Sequence, residues 1–320
     1  MMAKQEWEEQ GCAGSETLVT PVPSGSRREF VGALLCGAAV APRIGRAQEA
    51  APRPRLTTAG IRSVEHRYKQ TPQGDLLLHC FLPPGWNAGD RRPVIVFFFG
   101  GGWRNGTFAQ FVPQAEYFAA RGIVGISADY RILSRHRTTP DRCVEDARSA
   151  LRWVRAHATD LGVDSERLIA SGGSAGAHLA AACAFLPGFD DPADTRSISC
   201  RPNALVLYNP ALDLIGRGIL DGAGKDISRE FSPTHFVEKG APPTLLFFGT
   251  ADPLAEQGRA FAAKSRALGN RAELELAANM SHGYFNRPPW LQATTRRADE
   301  FLASLGYLQG KPTVVAPDGA

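Results

Sequence analysis

Residues 167–185 read Arg-Leu-Ile-Ala-Ser-Gly-Gly-Ser-Ala-Gly-Ala-His-Leu-Ala-Ala-Ala-Cys-Ala-Phe. Arg167 to Ala170 predicts a short buried strand, and Ala177 to Phe185, built of small helix formers, predicts a helix. Between them lies Gly172-Gly173-Ser174-Ala175-Gly176, a Gly-x-Ser-x-Gly pentapeptide. A strand entering and a helix leaving force such a serine onto a tight turn with its hydroxyl exposed. The five letters alone arise by chance in a glycine-rich chain, so the flanking elements carry the reading. Gly172 and Gly176 stand where side chains would collide with the neighbouring strand and helix. The first helical turn also directs unpaired N–H groups toward the serine. Ser174 is therefore a candidate nucleophile.

Working outward, apolar runs and helical periods alternate. Ser63 to Tyr68 and Leu76 to Phe81 flank Thr71-Pro72-Gln73-Gly74 and predict a hairpin. Pro93 to Phe99 is a continuous apolar run and suits a buried central strand. Phe111 to Ala120 predicts a helix and Ile123 to Asp129 the next strand. Pro140 to Ala158 has the clearest helical period, with Val144, Ala147, Leu151 and Val154 three or four residues apart and Pro140 in the first turn. Further strands are predicted at Ala204 to Tyr208, Thr244 to Phe248 and Glu273 to Leu276, and a last helix at Leu291 to Leu305. Strands separated by helical segments predict an α/β fold with a mainly parallel sheet, helices on both faces and the hairpin as its antiparallel edge. Leu214 to Glu238 has no clear period and reads as a lid-like excursion within an insertion at about 211–240.

The chain has 320 residues, 43% hydrophobic and 21% charged, which suits one well-filled domain placed here at residues 63–310. The net charge of +4 is mild, with no basic stripe interleaved with aromatics, which argues against a nucleic-acid partner. The six cysteines, Cys12, Cys36, Cys80, Cys143, Cys183 and Cys200, show no metal-type spacing, and disulfides among the last four stay open. No metal or organic cofactor is expected. Residues 1–48 differ from the rest. Ser26-Arg27-Arg28-Glu29-Phe30-Val31 opens an apolar stretch to Ala41, with a cleavage point near Ala47, the pattern of a twin-arginine export signal. The stretch is too short and weak for stable membrane insertion. Such export implies a periplasmic or secreted protein and the twin-arginine machinery as a partner. Residues 49–62 read as a linker and 311–320 as a tail.

A serine nucleophile on this architecture needs an acid and then a histidine later in the chain. Asp252 follows the strand ending at Phe248, in Gly249-Thr250-Ala251-Asp252-Pro253. His282 follows the strand ending at Leu276, in Met280-Ser281-His282-Gly283-Tyr284-Phe285. Carboxyl ends of parallel strands share one edge, so these loops can meet above Ser174. His282 then serves as base and Asp252 as its orienting acid. Taken singly, Asp252 equally suits a helix cap and His282 an exposed loop. His178, inside the elbow helix, reads as structural; His235 is the one rival base. The backbone N–H groups of Gly101, Gly102 and Ala175 are candidate donors to a developing oxyanion. Trp103, Tyr130, Tyr284, Phe285 and Trp290 are candidate substrate-binding aromatics by position near these motifs, with core packing the plain alternative for each.

Gly100-Gly101-Gly102-Trp103, Gly172-Gly173-Ser174-Ala175-Gly176, Asp252-Pro253 and His282-Gly283-Tyr284 together resemble an α/β-hydrolase of the hormone-sensitive-lipase-like or feruloyl-esterase-like (BD-FAE) branch. Asp129-Tyr130-Arg131 and Gly162-Val163-Asp164 add to a likeness running from Val64 to Leu308. It implies a serine carboxylic-ester hydrolase working through an acyl-enzyme on small or short-acyl esters, including acetylated or feruloylated saccharides. The one departure is Phe99, where the family pattern has histidine; the aromatic ring is expected to replace hydrogen bonds with packing. Other readings are an arylformamidase or amidase with the same triad and a non-catalytic binding protein on the same fold. A prolyl-type peptidase normally brings a large extra domain, for which the chain has no room.

Overall fold

The computed structural model describes residues 60–316. The segment read as an export signal, Cys12, Cys36, most of the linker and the end of the tail lie outside those residues. The strands are β1 (Arg62–Thr71), β2 (Gly74–Leu82), β3 (Arg92–Phe98), β4 (Val124–Ala128), β5 (Val163–Gly173), β6 (Ala204–Tyr208), β7 (Thr244–Gly249) and β8 (Ala272–Ala277). The helices are α1 (Val112–Ala120), α2 (Leu133–His136), α3 (Pro140–Ala156), α4 (Ala175–Phe185), α5 (Ala255–Ala267) and α6 (Trp290–Ser304). One eight-stranded sheet has the order β1-β2-β4-β3-β5-β6-β7-β8. β2 pairs antiparallel with β1 and β4, and every later pair is parallel.

The strand period of two divides the core between the faces. Val94, Val96 and Phe98 of β3 join a cluster with Val144, Leu151, Leu179 and Phe261 from α3, α4 and α5. Ile95 and Phe97, between them, join Phe118, Phe301 and Leu302 from α1 and α6. Both faces are covered, which is why these strands read as continuous apolar runs. Helix α3 starts with a proline and Asp141 in its first turn and ends with Arg155 in its last, matching the helix dipole at both ends.

A buried ionic knot ties α3 to the loop after β4. Asp146, with a fully buried side chain, accepts from Arg131 Nε and Nη2 at 2.8 Å each and from the Arg131 backbone N–H at 3.0 Å. Lys69 Nζ lies 2.8 Å from the same carboxylate. Tyr68 from β1 donates to the Asp129 carbonyl at 2.8 Å. The segment Asp129-Tyr130-Arg131 is thereby fastened on two sides, which sets the direction of Tyr130.

Two features differ from the sequence expectation. Helix α5, marked in the sequence only by the capping alternative for Asp252, buries just a narrow stripe of Ala255, Gly258, Phe261, Ala262 and Ser265. The excursion is anchored at its base, with Leu214, Ile227, Phe231 and Val237 in the core cluster. Cys80, Cys143, Cys183 and Cys200 are free thiols, and burial pushes Cys80 up to about 12, far from the reactive thiolate. Among the described residues no helix is long and apolar enough to cross a membrane.

Candidate active site

Five loops at the carboxyl edge of adjacent strands build the site. In sheet order they follow β3, β5, β6, β7 and β8 and carry Gly101, Ser174, Asn209, Asp252 and His282. Ser174 sits between β5 and α4 with φ 53° and ψ −117°, a conformation costly for any residue with a side chain. Two contacts hold it there. Its N–H donates to the Tyr208 carbonyl at 2.8 Å, and its carbonyl accepts from the His178 N–H at 2.9 Å. A Cβ on Gly176 would stand 2.0 Å from the Phe98 carbonyl oxygen, so only glycine lets the helix approach β3 this closely.

The elbow lifts Ser174 Oγ to 2.9 Å from His282 Nε2. His282 Nδ1 lies 2.8 Å from Asp252 Oδ2. The Asp252 side chain is fully buried, while that of His282 is 37% exposed, so the base can exchange protons with solvent and the acid cannot drift. The second carboxylate oxygen of Asp252 accepts from the Leu254 N–H at 2.8 Å, ahead of α5. Asp252 thus both stabilises the strand-to-helix turn and orients the imidazole. The rival base His235 faces Asp213 instead, at 3.5 Å.

Gly101 has φ +124°, and a Cβ there would stand 2.2 Å from the Asn105 carbonyl. The loop therefore turns as it does only with glycine at that position. Among the described residues neither the Gly101 nor the Gly102 N–H has an acceptor, and both residues are exposed. The Ala175 N–H, at the first position of α4, is likewise without an intrahelical partner. The Gly100 N–H is occupied: it donates to Gln110 Oε1 at 2.6 Å.

The chain matches known proteins over most of the described residues. A BD-FAE family model matches residues 78–206, and a model described as the alpha/beta hydrolase fold matches residues 185–286. Esterase 2 of Thermogutta terrifontis, solved after phosphorylation by paraoxon, is 44% identical with a TM-score of 0.74. That match covers 78% of this chain and 96% of the other. The same enzyme with propionate bound is matched at 43% identity and a TM-score of 0.73, with equal coverage. Carboxylesterase NlhH of Mycobacterium tuberculosis is 29% identical over 260 residues, 72% of this chain and 78% of that one.

The chain belongs to the α/β-hydrolase family.

It is a carboxylic-ester hydrolase, and its aromatic residues can be placed accordingly. Tyr130, expected to face substrate, is fully buried. Its hydroxyl donates to the Phe99 carbonyl at 2.7 Å and its ring stacks on Phe99 at 4.1 Å. Burial holds its phenol well above the ordinary range, so it stays a donor. Phe285 is also core rather than pocket: it packs on Phe111 and Tyr208 beneath Gly173. Tyr284 and Trp290 line a cavity of about 400 Å³ between β8 and α6 with Phe247, Glu275 and Thr294, three strands away from β5. Trp103, 9% exposed, packs against His178 and Phe231 and walls the Gly100–Gly102 loop from the excursion side. Phe99 does replace hydrogen bonds with packing, through the Tyr130 stack.

Asn209 is a residue of the esterase's site that the sequence reading missed. It directly follows β6, is fully buried, and holds φ +37°. Its side-chain Nδ2 lies 3.3 Å from His282 Nδ1, and its Oδ1 has no partner among the described residues. With Oδ1 turned to the ring, an isosteric choice for an amide, it shares the Nδ1–H with Asp252. The only sequence signal was a polar residue at a strand's carboxyl end.

His178, one turn into α4, is fully buried and donates from Nε2 to the Phe231 carbonyl at 2.8 Å. Burial lowers its pKa from 6.5 to about 4. Between those values the unfolded chain takes up a proton that the folded protein refuses. The contribution of this ring is therefore complete above pH 6.5 and is lost as pH falls toward 4, by roughly 3 kcal/mol at most. Urea unfolding of wild type and His178→Asn at pH 7 and pH 4.5 checks this. The wild type should lose more stability on acidification than the variant, and equal losses would contradict the assignment.

Proposed function

We propose that this esterase hydrolyses short-acyl esters through a covalent acyl-enzyme on Ser174. The observation that carries the reading is the aligned relay, Ser174 Oγ to His282 Nε2 at 2.9 Å and His282 Nδ1 to Asp252 at 2.8 Å, beside unoccupied amides on the Gly101–Gly102 loop. His282 takes the Ser174 proton as Oγ attacks the ester carbonyl carbon. The oxyanion receives hydrogen bonds from the Gly101, Gly102 and Ala175 amides. The imidazolium, steadied by Asp252, protonates the leaving alcohol as the ester C–O bond breaks. Water then gives its proton to His282 and attacks the acyl carbon. The acid departs and Ser174 recovers its proton.

Support for a short acyl group comes from the relative, whose structures hold propionate and butyrate. The same reading admits a small ester with a hydroxyl-bearing alcohol, such as an acetylated saccharide. A panel of p-nitrophenyl esters, acetylated and feruloylated saccharides and an aryl formamide tests the reading. kcat/KM should be highest among acetyl to butyryl esters and about tenfold lower or more for the dodecanoyl ester. A maximum at long acyl chains would overturn it, and faster turnover of the formamide than of its matched ester would favour the amidase.

A further inference from the structure

The oxyanion loop and the histidine loop are joined by a hydrogen-bonded chain that the catalytic steps do not use. The Gly100 N–H donates to Gln110 Oε1 at 2.6 Å. Gln110 Nε2 donates to Asn286 Oδ1 at 2.9 Å, across 176 residues of sequence. Asn286 Nδ2 donates to the Gly283 carbonyl at 2.9 Å, next to His282. Its backbone N–H reaches the same carbonyl at 3.2 Å. The chain ends on a backbone donor and a backbone acceptor, so only one orientation of the two amides satisfies every link.

At the Gly100 end the effect is local and specific. The peptide unit joining Phe99 to Gly100 is held at both poles. Its oxygen accepts from Tyr130 at 2.7 Å and its N–H donates to Gln110. That plane sets the direction of the next amides, those of Gly101 and Gly102. The Phe99 side chain offers no polar atom to do this, and its ring is committed to the stack with Tyr130. Gln110 and Asn286 sit on separate single-turn helices, Phe108–Phe111 and Tyr284–Asn286, which have no other means of fixing a mutual register through hydrogen bonds among the described residues.

We propose that Gln110 and Asn286 are positioning residues that set the oxyanion donors and His282 in one geometry. The proposal rests on the serine-esterase reading. Oxyanion donors are effective only within a few tenths of an ångström of their proper distance, and a 1 Å displacement can cost about 100-fold in rate. Gln110→Met, close in volume but without polar atoms, should lower kcat about 10- to 100-fold with KM changed less than about threefold. Asn286→Ala should do the same. The double variant should be no slower than the slower single, because one chain is cut in either case.

Gln110→Glu supplies a readout that loss of packing cannot mimic. Protonated, the new carboxyl accepts from the Gly100 N–H and donates to Asn286 Oδ1, restoring the chain. Ionised, it has no proton for Asn286 and places a negative charge beside the oxyanion loop. The ratio of its kcat to the wild-type value should therefore rise as pH falls through the carboxyl range. Wild type and Ser174→Ala, assayed together on p-nitrophenyl butyrate, separate the two claims. Hydrolysis that survives Ser174→Ala sinks the esterase reading itself. With hydrolysis dependent on Ser174, kcat within twofold of wild type for both single variants overturns the positioning role. So do losses that multiply in the double variant. If Gln110→Met does not fold, the pH ratio of Gln110→Glu decides, and a flat ratio overturns the proposal.

Discussion

Ser174→Ala is expected to lower kcat for ester hydrolysis about 10⁶-fold while leaving the fold intact. The size follows from what is lost. Without Oγ there is no nucleophile to form an acyl-enzyme, and the amides of Gly101, Gly102 and Ala175 can only polarise a carbonyl toward attack by water. The residual activity measures that contribution alone. Ser174 holds a strained turn through its backbone bonds to Tyr208 and His178, and those contacts need no hydroxyl. The thermal midpoint should therefore shift little. Steady-state rates on p-nitrophenyl butyrate, with circular dichroism on the same preparation, give the answer. A loss of less than about tenfold would mean that another group carries the chemistry.

Asp252→Asn is expected to cost about 10⁴-fold in kcat at neutral pH, with little change in KM. The carboxylate accepts from His282 Nδ1 at 2.8 Å, which keeps the proton on Nδ1 and the lone pair on Nε2 facing Ser174. An amide at this position can donate to Nδ1 instead, moving the proton to Nε2 and leaving the serine without a base. It also removes the charge that steadies the imidazolium. Asn209 is too weak to hold the tautomer alone at 3.3 Å, but Asn209→Asp offers a partial rescue. Pre-steady-state kinetics check the assignment: acylation should become slow and the burst of p-nitrophenol should vanish. An unchanged burst would show that Asp252 acts as a structural cap through Leu254 and no more.

The serine, acid and base were legible because each is local to a strand end. Gly172 to Gly176, Asp252-Pro253 and His282-Gly283 carry their own turn chemistry, and parallel strands deliver them to one edge. Nothing comparable marks Gln110, Asn286 or Asn209. Their roles arise from contacts across 176 and 73 residues, set by how the strands are ordered in the sheet. Tyr130 and Phe285 were misplaced for a related reason. Closeness to a motif along the chain does not say which side of the loop a ring takes. Tyr130 is turned inward by the Arg131–Asp146 anchor, and Phe285 by the space beneath Gly173. Helix α5 shows no clear apolar period because Glu256, Gln257, Arg259, Lys264 and Arg266 crowd around its thin buried stripe.

In the proposed mechanism one serine, activated by His282, does the chemistry. Its most direct test is reaction with paraoxon followed by peptide mass mapping and parallel activity assay. One diethyl-phosphoryl group per chain is expected, on the peptide carrying Ser174, with activity lost in proportion to labelling. Labelling on a different residue, or full activity in the fully labelled protein, would contradict it.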